Sequence, residues 1–264
     1  MRKRLKSGFF LGEIGMLYRL EGIVIRSMDY GEGNKIITIC TQTHGKVAIL
    51  VRGARKIKSR HAALTQLFTY GQYTFYRQGD GLGTLNQGEI VESHFSLRND
   101  LYLAAYASYV CELLDRSLHD DEVGSFWFTQ LKAALEALAS GKDQQIVMHL
   151  FEVKILQASG YAPSLEACVS CGSLEESYHV SPRLGGRLCP RCRHHDHGAM
   201  VVSPQVLKLL ILFEKIDMRR LGNINVKDTT KTELKAVMNA FMEVQLGLKL
   251  KSRNFLDQLD KYEI

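Results

Sequence analysis

The chain has 264 residues, of which 45% are hydrophobic and 23% charged, with a formal net charge of +6. That apolar content excludes a disordered chain and is enough for one large core or two ordinary ones. No run approaches the roughly 18 apolar residues of a membrane helix, and six cysteines, four of them in two tight pairs, are too few for a secreted disulfide scaffold, so the expected setting is the cytoplasm, in solution and with no membrane partner.

Residues 1–15, MRKRLKSGFFLGEIG, show no clear period and are read as an N-terminal extension without a role, with Met1 or Met16 as the functional start. From Met16 the pattern becomes strand-like. Stretches near 17–28, 35–42, 46–52, 70–78 and 82–93 are rich in Ile, Val, Thr and Tyr, and the turn signals GEGN, THG and QGDG separate them. In GKVAILVRG, Val47, Ile49 and Val51 fall on one face and Ala48, Leu50 and Arg52 on the other, as a strand requires. Five short strands in 80 residues predict a domain over 16–95 built as a five-stranded oligonucleotide-binding (OB) barrel, a fold that holds single strands on one face. GDGLG reads as a hairpin turn and no phosphate loop, since no helix follows it, and no G-x-x-x-x-G-K-[ST] occurs, so nucleotide hydrolysis is not expected.

Charge is unevenly shared. Residues 1–95 carry 14 Lys and Arg against 7 acids, net +7, whereas the remainder carries 20 against 21, net −1. The front half is therefore expected to meet something anionic. Its sharpest feature is VRGARKIKSRHAA, where Arg52, Arg55, Lys56, Lys58 and Arg60 crowd nine positions directly after a strand. Such a loop can simply be solvated or can dock a protein, but like charges this close become useful when phosphates replace their counterions, and phosphate contact is the reading preferred here. Tyr30, Tyr70, Tyr73, Phe75 and Tyr76 offer stacking surfaces, although strand aromatics at alternating positions more often fill a core.

After Ser93 the period changes to about 3.6. Leu103, Tyr106, Ala107, Val110, Leu113 and Leu114 form one apolar stripe, and further helices are predicted near 124–139, 144–158, 204–215 and 230–248, giving an α-helical domain over 96–264. QIVMHLFEVKILQASG is apolar nearly all round and is expected at the centre, with His149 as a core residue. Ser203 and Pro204 open a helix as cap and first-turn residue. Cys40 and Cys111, each without a partner, read as small buried hydrophobes.

The remaining cysteines are another matter. Cys168 and Cys171, and then Cys189 and Cys192, are each separated by two residues, with 17 between the pairs, inside the spacing window for zinc. Four thiolates close a tetrahedron and leave no position for water, so the expected role is structural, within a zinc-binding insert over 165–200. His194, His195 and His197 follow closely, and a three-cysteine site with one histidine stays open as an alternative. A zinc-assisted enzyme acting on nucleic acid would need an activating carboxylate or histidine beside an open metal position; no H-x-E partnered with P-C-x-x-C occurs, and no catalytic residue is predicted.

The start LYRLEGIVIRSMDYGEGNKIITICT, the strand and loop GKVAILVRGARKIKS, the pairs CVSC and CPRC, and the closing LGLKLKSRNFLD occur together in that order. In this the chain resembles the bacterial RecO family from Met16 to the C-terminal end. The resemblance implies an α+β chain, a barrel followed by helices, acting as a mediator of DNA repair and recombination. Such a protein binds single- and double-stranded DNA, anneals complementary strands without nucleotide hydrolysis and helps load recombinase onto coated strands. Implied partners are RecR and the acidic C-terminal tail of the single-strand-binding protein. The family's zinc motif falls on Cys168, Cys171, Cys189 and Cys192, its basic loop on Arg52 to Arg60, and its closing motif places Lys249, Lys251 and Arg253 near a possible site for the acidic tail. The alternative is a protein-interaction adaptor whose basic loop docks an acidic partner and whose DNA binding is incidental.

Overall fold

Period-two segments of the front half fold as five strands, β1 (Met16–Tyr30), β2 (Asn34–Thr41), β3 (Lys46–Val51), β4 (Tyr70–Arg77) and β5 (Gly83–Glu92), in a computed structural model that describes residues 15–120 and 122–262. The predicted extension, but for Gly15, lies outside the described residues. The strands close a barrel in the order β1-β2-β3-β5-β4, with β3 and β5 the one parallel pair. β1 is long enough to pair β4 with its first half and β2 with its second, and an irregularity between Val24 and Arg26 bends it between the two tasks. Val24, Ile37, Ile39, Val47, Ile49, Val51, Tyr73 and Phe75 fill the interior. This is an OB-like barrel. The GDGLG segment is its β4–β5 turn, where the Arg77 guanidinium donates to the carbonyls of Asp80 and Gly81, both at 2.8 Å.

Among the described residues seven α-helices follow: α1 (Phe95–Asn99), α2 (Leu101–Ser117), α3 (Ser125–Ala139), α4 (Gln144–Ala158), α5 (Pro204–Lys215), α6 (Asp228–Phe241) and α7 (Lys251–Tyr262). Short polar side chains set the starts. Asp100, Asp143 and Ser203 accept backbone N–H groups at the first turns of α2, α4 and α5, each cap being worth about 1 kcal/mol. The all-round apolar α4 is central, buried from Ile146 through Leu156. Cys40 and Cys111 lie in one core shared by barrel and helices, and burial pushes the Cys40 thiol up to about 12, so it packs as a neutral side chain.

Three features depart from the periodicity. The helix expected over 230–248 stops at Phe241, continues as a π-turn over Met242–Leu246 and ends at Gly247 in the left-handed region, φ 60°. Second, KSRNFLDQLDKY forms α7, which buries Leu256 and Leu259 and whose first N–H groups are capped from α2, by Glu112 at 3.1 Å from Lys251 N and 2.8 Å from Ser252 N. Third, β6 (His179–Ser181), β7 (Gly186–Leu188) and β8 (Met200–Val201) form a small sheet in the order β7-β6-β8, since strands of two or three residues carry no legible period.

Barrel and helices meet at Lys46, whose ammonium donates to the carbonyls of Asp115 at 2.7 Å and Leu118 at 2.8 Å, at the C-terminal end of α2. The carboxylates of Asp115 and Asp120 lie 3.4 and 3.2 Å from the same nitrogen. Beside it, a Cβ on Gly45 would stand 1.8 Å from the Asp120 carbonyl, so only glycine lets the β2–β3 turn come this close. Lys46→Met removes the charge and leaves both carbonyls without their donor. It is expected to lower unfolding free energy by about 2–4 kcal/mol in urea denaturation; an unchanged midpoint would show that the seam is held by apolar packing alone.

Candidate nucleic-acid interface and metal centre

The basic segment leaves β3 at Val51 and is folded back on itself by two tight turns, Lys56 N donating to the Gly53 carbonyl at 3.1 Å and Ser59 N to the Lys56 carbonyl at 2.9 Å. Gly53, at φ 67°, takes the left-handed conformation as the chain leaves β3 and enters the first of these. Ala54 is buried under the loop, and two hydrogen bonds tie it to the β1–β2 hairpin: Gly53 N to Asn34 Oδ1, 2.9 Å, and Arg55 N to the Gly33 carbonyl, 3.1 Å. The backbone is thus fixed while Arg52, Arg55, Lys56, Lys58 and Arg60 all remain exposed. Arg55 reaches Asp29 at 3.3 Å, but among the described residues no carboxylate pairs with Arg52, Lys56, Lys58 or Arg60. Arg60 Nε instead donates to His61 Nε2 at 3.1 Å, and burial, followed by the Arg60 charge, keeps that imidazole below its usual range and so able to accept.

Of the five aromatic side chains considered for stacking, Tyr70, Tyr73 and Phe75 are buried. Tyr30 and Tyr76 are exposed at 53% and 49%, and Tyr30 precedes the hairpin to which the basic loop is tied.

Cys168, Cys171, Cys189 and Cys192 come from two knuckles. Gly172 N donates to the Cys168 carbonyl at 2.8 Å in one, and Cys192 N to the Cys189 carbonyl at 3.0 Å in the other. The four sulfurs lie within 4.8 Å of one another, with Cys171 and Cys189 at 3.7 Å, close to the edge of about 3.8 Å that a tetrahedron with 2.3 Å metal–sulfur bonds would have. Burial works to raise the Cys168 thiol, but N–H groups of Cys189, Cys171 and Ser170 outweigh it and bring it down to about 6. Cys192 goes the other way, up to about 12, because it shares hydrogen bonds with the Cys171 sulfur and is buried. Four sulfurs this close ionise together only around a cation. Among the described residues no histidine joins the cluster; His194, His195 and His197 are exposed, and His195 Nδ1 instead lies 2.7 Å from Ser170 Oγ.

In the closing motif, Lys249 and Lys251 are exposed, but Arg253 turns inward. Its Nη1 is 3.2 Å from the carboxylate of Glu152, which is fully buried and also accepts from Tyr109 Oη at 2.5 Å and meets His149 Nδ1 at 2.7 Å. Burial would raise the Glu152 carboxyl, yet His149, Arg253 and Tyr109 together hold it below its usual range. The guanidinium expected at a docking surface is therefore an internal counter-ion, 16% exposed, whose position three residues into α7 was invisible to periodicity. Sequence reading also missed Asp29, Gly33 and Asn34, which aim the basic loop; the GEGN turn was their one signal.

Comparison with known proteins converges on one family. The model for the Recombination protein O N terminal matches residues 16–94, and that for the Recombination protein O C terminal matches residues 98–254. The DNA repair protein RecO of Halalkalibacterium halodurans is 44% identical over 245 residues, which cover 93% of this chain and 96% of that protein. The DNA repair protein RecO of Bacillus subtilis is 42% identical over 245 residues, with shares of 93% and 96%, and that of Bacillus mycoides is 41% identical over 249 residues, with shares of 94% and 100%. With both halves of the fold matched and relatives aligned over nearly their whole length, this chain belongs to the RecO family of DNA repair proteins.

Proposed function

We propose that the protein is a recombination mediator that binds DNA through the loop Arg52–Arg60, anneals complementary strands without nucleotide hydrolysis and helps load recombinase onto coated single strands. The observation that carries this reading is the loop itself: five exposed cations on a segment whose root is tied to the β1–β2 hairpin, one of them, among the described residues, paired with a carboxylate. Five phosphates brought to these side chains release their condensed counterions, and two strands neutralised on one surface repel each other less and meet at higher local concentration. No bond is made or broken, so no catalytic residue is required. RecR and the acidic tail of the single-strand-binding protein are the proposed partners, with Lys249 and Lys251 as the cations of the closing motif open to the tail. We place this activity in the cytoplasm, at the nucleoid; no helix among the described residues is long and apolar enough to cross a membrane.

We infer that the cysteine cluster holds zinc in a structural role, with Cys168, Cys171, Cys189 and Cys192 as a closed set of thiolate ligands. The module has little else to hold it. Leu188 is the one large aliphatic side chain buried among those cysteines, and burying one Leu contributes about 2 kcal/mol, against roughly 1 kcal/mol or more of backbone entropy for each residue ordered. Metal binding of about 10–16 kcal/mol, as in small zinc peptides, covers such a deficit.

Annealing of complementary oligonucleotides coated with single-strand-binding protein, without ATP and across a salt series, tests the mediator reading. Acceleration that fades with salt supports it, whereas no acceleration by folded, metal-loaded protein favours the adaptor. For single strands, the slope of log affinity against log salt is expected near −3.5, and replacing Arg55, Lys56 and Lys58 together with Ala should flatten it by about 2; an unchanged slope moves the interface elsewhere. Chelation should cost amide-exchange protection over residues 160–200 first and leave α2 and α4 protected. Simultaneous loss along the whole chain would contradict a local role for the metal.

A further inference from the structure

Within the cationic loop stands one residue that charge does not explain. Ile57 is fully exposed, at 103%, more than any other large apolar side chain among the described residues; Leu174 is next at 78%. A partly exposed aliphatic group needs no explanation, but three features set this one apart.

Its position is the apex of a turn, where Gly, Pro, Asn, Asp and Ser are usual. The hydrogen bond from Ser59 N to the Lys56 carbonyl makes Ile57 and Lys58 the two central residues. The root of the loop is tied to the barrel by the buried Ala54 and the bonds to Asn34 and Gly33, and the Ile57 side chain stands out from it into solvent. Its neighbours Lys56, Lys58, Arg55 and Arg60 are exposed cations, so whatever covers the Ile57 side chain must be anionic around an apolar centre. A nucleic acid has that arrangement, with phosphates outside and stacked base faces inside, and apolar side chains such as Ile, Leu and Met inserted between base steps partly unstack them in duplex DNA.

We infer that Ile57 is a wedge that enters between adjacent bases once the surrounding cations have seated the phosphates. This inference rests on the DNA-binding reading of the loop and adds a task to it. The cations hold the backbone, and the aliphatic tip unstacks one step, presenting the freed edges to a complementary strand. A β-branched side chain suits this, since its restricted χ1 leaves little rotamer freedom to lose on insertion.

The test uses the full chain, metal-loaded, with a single-stranded oligonucleotide carrying 2-aminopurine, whose fluorescence rises when it is unstacked. Wild type should bind with the salt slope stated above and raise the fluorescence. Ile57→Ser should keep the melting temperature and the salt slope, abolish the fluorescence rise and weaken binding about fivefold, and Ile57→Leu should restore both. A full fluorescence rise with Ile57→Ser overturns the wedge while leaving the phosphate contact standing. Wild type with no salt-dependent binding removes the interface itself, a different failure. Phosphatidylglycerol vesicles form the control arm: if Ile57→Ser weakens vesicle binding and spares the 2-aminopurine signal, the tip is a membrane contact and the inference falls.

Discussion

The ammonium of Lys46 sits in the seam between barrel and helices, its side chain 6% exposed, among two carbonyls at the end of α2 and two carboxylates. Neither side of this contact is stable alone. An ammonium withdrawn from water costs several kcal/mol, and the last carbonyls of a helix lack intrahelical donors and carry the negative end of its dipole. Each therefore satisfies the other, and Gly45 supplies the clearance that lets them meet. Lys46 also begins β3, and the cationic loop leaves the far end of that strand about 17 Å away. Fixing one end of so short and rigid an element fixes the direction in which the other end offers its charges.

The distribution of neutralised charge follows from this. Away from the loop, several part-buried or buried cations sit against carboxylates: Lys46 with Asp115, Arg253 with Glu152 and Asp257, Lys235 with Asp257 and Asp260. In the loop, by contrast, cations are grouped and, apart from Arg55, left to solvent. Mutual repulsion in such a group is tolerable in water and is relieved by an external polyanion, whereas the same charges in the core would have unfolded it. Arg253 shows how completely context decides. Its neighbours Lys249 and Lys251 face solvent, whereas the Arg253 guanidinium is drawn inward to the buried Glu152 carboxylate, which also meets His149.

Stability is divided in a similar way. The shared core of barrel and helices is continuous through Ile23, Tyr70, Leu114 and Phe151, so these parts hold each other by apolar burial. The cysteine module has Leu188 and little more, and leans on the main core through Leu165 and Val180. Four convergent sulfurs supply there what apolar area cannot.

How much of this was legible depended on the range of the interaction concerned. Strand and helix positions follow from periods of two and 3.6, and the cysteine pairs from two knuckles whose hydrogen bonds span four and three positions, so a linear sequence contains them. The five cations were visible for the same reason, being adjacent in the chain. What the sequence could not contain was which charged groups would be swallowed. Lys46 meets residues 69 and 72 positions away, and Arg253 meets Glu152 across 101. Each looks, locally, like any surface cation. The two- and three-residue strands of the module and the capping of α7 by Glu112 likewise depend on partners elsewhere along the chain. By itself the sequence determined the family, the elements and the residues able to bind metal or phosphate. The tertiary structure alone decided which cations remained free to do so, because desolvation is a property of the packed environment and not of the residue.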